Sequence, residues 1–161
     1  MLKQITLFLL LFLLATRESI GQTYVQGGWL WQSPSTSATV ATAFPANSTS
    51  GDLIVVHLDW DNASDTVKKV VDNKGNIYKK INGTTLWNGG AYAAELWYTY
   101  NIKVTPAGPI TVTATLNGNT NTFFQIYTSE YSGIAASIDP LDKNSVAIGG
   151  TVAVRDRKSV V

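Results

Sequence analysis

Two glutamates, Glu95 and Glu130, are the only ones that follow residue 21, and each stands in a run crowded with aromatic residues. Paired carboxylates of this kind serve glycoside hydrolysis. One is held protonated as the acid and the other acts as nucleophile or base, with the pair roughly 5–5.5 Å apart for retention and wider for inversion. Glu95 and Glu130 therefore define one candidate chemistry, that of a jelly-roll glycosidase. Glu130 also lies in a Glu-Tyr-Ser-Gly run whose simpler role is to bind a loop, and a strand-edge role serves for Glu95. The non-catalytic reading of both is preferred.

Aspartates offer a second possibility. Asp59, Asp61 and Asp65 fall within seven residues, Asp59-Trp60-Asp61-Asn62-Ala63-Ser64-Asp65. Calcium takes six to eight hard oxygen ligands, so these three are the weak calcium candidates. Ala63 and Ser64 stand where an EF-hand needs a ligand and a glycine, and an ordinary turn with Asx capping accounts for the same residues. No cofactor is expected. A single histidine, His57, and no cysteine leave no zinc set. Any Ser-His-Asp arrangement would rest on His57 alone, and neither a Gly-x-Ser-x-Gly elbow nor a phosphate-binding glycine loop is present.

Aromatic rings are the third candidate and the preferred one. Trp29 and Trp31 share a face of one strand by their spacing of two. Trp87 is expected in a loop, Trp87-Asn88-Gly89-Gly90, and Tyr92, Tyr98 and Tyr100 fall on one strand face. Flat rings beside Asn and Asp suit sugar recognition, in which a ring stacks on the apolar face of a pyranose. Trp29, Trp31, Trp87 and Tyr92 are therefore the expected ligand-binding residues, whereas Trp60 and Trp97 read as core.

The elements that must carry these residues are strands. Runs rich in Val, Ile, Thr, Tyr, Phe and Trp recur at 23–31, 37–44, 53–60, 66–72, 77–82, 91–100, 109–116, 122–131 and 146–154, separated by Gly, Pro, Asn, Asp and Ser. Alternation is plain at 53–60, where Ile54, Val56, Leu58 and Trp60 share a face, and at 109–116, where Ile110, Val112, Ala114 and Leu116 alternate with threonine. Asp72-Asn73-Lys74-Gly75-Asn76 predicts a tight hairpin joining 66–72 to 77–82 in antiparallel pairing, with positive φ at Gly75 or a neighbouring Asn. The 122–131 strand is apolar on both faces near Phe123 and Phe124, and so is expected inside a sheet. The fold expected is an all-β antiparallel sandwich, jelly-roll or immunoglobulin-like.

The ends of the chain carry their own information. Lys3, the apolar run 5–14 and the small-residue exit Ser19-Ile20-Gly21 read as a signal peptide over 1–21, too short to span a bilayer core of roughly 30 Å. Residues 22–155 are expected to form a single domain. Residues 156–161 read as the translation of a sequencing adapter, and the domain is accordingly expected to be truncated at its C-terminus, with further domains beyond it in the intact protein. Without cysteine in an exported domain, packing alone must hold it. In 22–155 eight basic residues face nine acidic ones, a net charge of −1 that provides no general attraction for nucleic acid. Five lysines (68, 69, 74, 79 and 80) do flank the predicted turn, where they serve to prevent edge-to-edge pairing.

An ordered set of short motifs carries a resemblance. Ser50-Gly51-Asp52-Leu53-Ile54-Val55-Val56, then Asp72-x-x-Gly75-Asn76-x-Tyr78, Leu96-Trp97-Tyr98 with Asn101, Glu130-Tyr131-Ser132-Gly133 and Asp139-Pro140-Leu141-Asp142 resemble a β-sandwich module of bacterial extracellular proteins that sits beside immunoglobulin-like or fibronectin-like repeats. The resemblance spans residues 50–150 and implies a fold and an extracellular or cell-surface location (periplasm included), with no activity attached. The function expected is non-catalytic binding or adhesion, with a glycan or other cell-surface polymer as partner. The glycosidase using Glu95 and Glu130, and a spacer repeat without ligand, are the alternatives. An exposed strip of aromatics favours binding, facing carboxylates in a cleft favour the enzyme, and a featureless surface favours the spacer.

Overall fold

A computed structural model describes residues 21–32, 37–118, 123–135 and 137–142. Residues 1–20 of the signal segment, the strand expected at 146–154 and the tail 156–161 lie outside the described residues. The described chain is an all-β sandwich of two antiparallel sheets. Its strands are β1 (Thr23–Gln32), β2 (Thr39–Ala43), β3 (Leu53–Asp61), β4 (Val67–Asp72), β5 (Lys79–Trp87), β6 (Tyr92–Thr99), β7 (Thr111–Leu116) and β8 (Phe124–Ser132). The larger sheet has the order β1-β8-β3-β6-β5 and the smaller β2-β7-β4. Among the described residues only a 3-10 turn at Asn88–Gly90 departs from strand and loop.

Alternation explains the two layers. Every second residue of β3, from Ile54 to Trp60, is fully buried, and Ile110, Val112, Ala114 and Leu116 meet them from the other sheet. Phe124 and Ile126 of β8 complete the centre, with Phe124 edge-on to Trp60 at 6.3 Å. Strand β8 lies inside the sheet between β1 and β3, as its apolar character predicts. Where β2 crosses β1, a Cβ on Gly28 would stand 2.8 Å from the Ala43 carbonyl oxygen. Only glycine lets the sheets close at that corner.

The 72–76 turn corrects the expected hairpin. Gly75 does take a positive φ of 74°, but β4 pairs with β7 and β5 with β6, so the turn carries the chain from one sheet to the other. The Asp72 carboxylate accepts hydrogen bonds from the Lys74 and Asn76 amides, the Asn76 side chain and the Tyr78 hydroxyl. Asn73 and Asn76 bind the backbone at Pro109, Thr111 and Lys103. These bonds tie the turn to its neighbouring loops as residues 73–78 cross between layers. The lysines are dispersed as a result. Lys68 and Lys69 lie on β4, Lys74 donates to the Pro106 carbonyl, Lys79 pairs with Asp139 and Lys80 with Glu95.

Candidate functional site: the outer face of the larger sheet

Because even-numbered residues of β3 face the core, its odd-numbered residues and their partners form the outer face. One row across the strands reads Trp29, Tyr127, His57, Leu96 and Ile81, and the next reads Trp31, Gln125, Asp59, Ala94 and Thr85. Trp29 is 66% exposed, Trp31 57% and Tyr24, further along β1, 59%. Polar groups stand among the rings. Tyr127 donates its hydroxyl to the Gln125 side-chain oxygen at 2.7 Å, and His57 Nε2 lies 3.2 Å from Asp59 Oδ1. No lysine or arginine belongs to these two rows.

The rings differ in how they stand. His57 stacks on Tyr127 with centroids 5.7 Å apart and an interplanar angle of 24°. Neighbouring strands are about 4.8 Å apart, so these two rings stand upright side by side and present their edges outward. Trp87 stacks on Tyr92 at 4.4 Å, and Tyr92 in turn leans on Phe123 at 5.6 Å. Trp29 and Trp31, two residues apart along the edge strand and so about 7 Å apart, carry the most exposed indoles of the face.

All four expected ligand-binding residues thus share one face, but at opposite edges. Trp29 and Trp31 lie on β1, whereas Trp87 and Tyr92 lie on β5 and β6, with roughly 15–20 Å of sheet between the pairs. Trp87 closes strand β5 instead of sitting in a loop. Tyr98 shares the face but is covered. Asp139 accepts from its hydroxyl at 2.7 Å and pairs with Lys79 at 2.6 Å, which holds the Asp139 carboxyl below the ordinary carboxylate range. Spacing alone did not single out Tyr24 and Tyr127. Only the register of β8 against β1 and β3 brings them onto this face.

Glu95 and Glu130 both point the other way, into the sandwich, from the same sheet. They sit two strands and four residues apart in register, roughly 16 Å between backbones. Glu95 is ion-paired to Lys80 at 2.7 Å and accepts from Thr84 and the Trp97 indole. Glu130, fully buried, accepts from Gln26 at 2.6 Å and from the Thr49 amide at 3.0 Å. Burial first, and then hydrogen bonding to Glu130 and its charge, push the neighbouring Asp52 carboxyl up to about 6. The Asp52 Oδ2 atom is buried without a hydrogen-bond partner.

The three aspartates do not converge. Asp59 lies on the outer face beside His57, Asp61 accepts from the Phe123 amide, and Asp65 is buried under the loop, its carbonyl bound by the Trp60 indole. Among the described residues no group of three His, Cys, Asp or Glu could hold a metal ion. Nor is any helix there long and apolar enough to cross a membrane. Compared with protein families, curated proteins and solved structures, the chain matches none.

Proposed function

We propose that this protein is a secreted or cell-surface binding module whose outer sheet face holds a neutral glycan, with Trp29 and Trp31 as the stacking surface. The observation that carries this reading is the pair of exposed indoles on one strand, flanked by hydrogen-bonding Gln125, Asp59 and Tyr127. An exposed apolar patch rimmed by polar residues marks an interaction site. The absence of cations from the two rows favours uncharged sugars over sulfated or uronate polymers. The signal-peptide character of residues 1–21 and the motif resemblance support an extracellular setting. Trp87 and Tyr92 offer a second, smaller contact at the far edge.

Affinity electrophoresis through gels containing neutral β-glucan, mannan or xylan tests this reading. Retention is expected, and Trp29→Ala or Trp31→Ala should each weaken it about tenfold, equivalent to about 1.4 kcal/mol. Absence of retention on every neutral polymer, or retention unchanged in the double variant, would refute it.

A further inference from the structure

The two edges of the larger sheet are built differently. An edge strand exposes a row of backbone N–H and C=O groups, and proteins blunt such edges with lysines, bulges or short length. Strand β5 has two of these devices. Lys79 and Lys80 open it, its register breaks between Ile81 and Thr85, and Asn82 at φ 61° turns the backbone aside within the break. In the smaller sheet β2 has only 5 residues and β4 only 6, and β4 adds Lys68, Lys69 and a bulge.

Strand β1 is the exception. It runs for 10 residues without a charge or a proline. After one register shift between Tyr24 and Gln26 it pairs without interruption as far as Gln32. Among the described residues no strand lies along its other side. Apolar groups are exposed on it beyond the outer-face rings, Val25 at 44% and Leu30 at 42%.

We infer that the free edge of β1 pairs antiparallel with β1 of a second copy of this chain, joining the two larger sheets edge to edge. Identity of the strands is an obstacle to such pairing when they are charged, because like charges then come face to face. β1 carries none. An antiparallel pair of identical strands is closed by a two-fold axis, the commonest symmetry of soluble oligomers. Leu30 and Val25 of each copy gain cover. The axis stands perpendicular to the sheet, so both outer faces look the same way and the two Trp29–Trp31 pairs become neighbours. Edge-to-edge contact buries little area, so the association belongs with weak, concentration-dependent interfaces.

This inference stands apart from glycan binding, and its test involves no sugar. Light scattering on the purified protein over a concentration series should show the mass rising from that of one chain to two. The double variant Val25→Lys/Leu30→Lys should stay at half that mass, with its urea melting unchanged. Hydrogen exchange at the amides of residues 26–32 should slow as the protein is concentrated. A single-chain mass at every concentration would overturn the inference, whether the β1 amides exchange freely or are shielded by another part of the chain. So would a dimer that survives the two lysines in the folded variant.

Discussion

Glu95 and Glu130 occupy the same inner face of one sheet, and the fold neutralises them by different means. Glu95 meets a cation, the partly exposed Lys80, and its remaining lone pairs are taken by Thr84 and Trp97. Glu130 meets no cation. It is satisfied by the Gln26 side-chain amide and the Thr49 backbone N–H, and the Asp52 carboxyl beside it is raised to about 6. A buried carboxylate must be paired or hydrogen-bonded, and here one sheet uses an ion pair at one site and uncharged donors at the other. The first arrangement ties together two adjacent strands. The second fastens the loop leading into β3 onto β1 and β8, because Gln26 also binds both backbone groups of Ala46.

The largest effect should come from Glu130→Ala, which strands the buried Gln26 donor and releases the Thr49 amide. Unsatisfied buried groups cost about 1–3 kcal/mol each, so a loss of about 3 kcal/mol in urea melting is expected. A loss below 1 kcal/mol would mean that the loop is not held from this side chain. Lys80→Met comes next. Removing one partner of a buried pair costs about 3–5 kcal/mol, but Lys80 reaches solvent and its share is screened, which leaves about 2 kcal/mol. A double cycle with Trp97→Phe would show whether the indole and the ammonium support the carboxylate independently.

The smallest effect is a matter of pH. The Asp52 carboxyl is raised from 3.8 to about 6 by burial and by Glu130, so the folded state binds a proton that the unfolded chain releases earlier. The stability this contributes is fully present below the ordinary carboxylate range and is lost as pH rises through about 6. Denaturation midpoints should therefore fall across that interval. Asp52→Asn should flatten the profile and leave the variant more stable than its parent at neutral pH. A parent profile already flat between those values would mean that Asp52 is not raised beside Glu130.

Strands whose side chains alternate could be located from the sequence, because burial on one face leaves a period of two. That holds for β3 and β7, whose core residues are the ones the pattern predicts. The turn at 72–76 was recognisable as a turn. Its destination was not, since the hydrogen bonds that route it reach residues about 30 positions away, such as Asn73 to Pro109 and Asn76 to Lys103. β5 covers Lys79–Trp87 where the pattern predicts 77–82, because the irregularity between Ile81 and Thr85 is absorbed within the strand.

Of the candidate site, the spacing of Trp29 and Trp31 placed both on one face. Which face that is depends on pairing with β8, a hundred residues further along the chain. The motif residues prove to be fasteners of loops. Glu130 holds Thr49, Asp72 gathers the inter-sheet turn, and Asp139 caps Tyr98.

Thr23 at the start of β1 lies opposite Ser132 at the end of β8. These two residues thus mark one pole of the larger sheet, and Trp31 lies towards the other. Tension applied between those two residues would load the bonds joining β1 to β8 one after another, as in a zip, rather than all together in shear. A copy held by those two residues would present Trp31 at the opposite pole, yet yield β1 first under a pull.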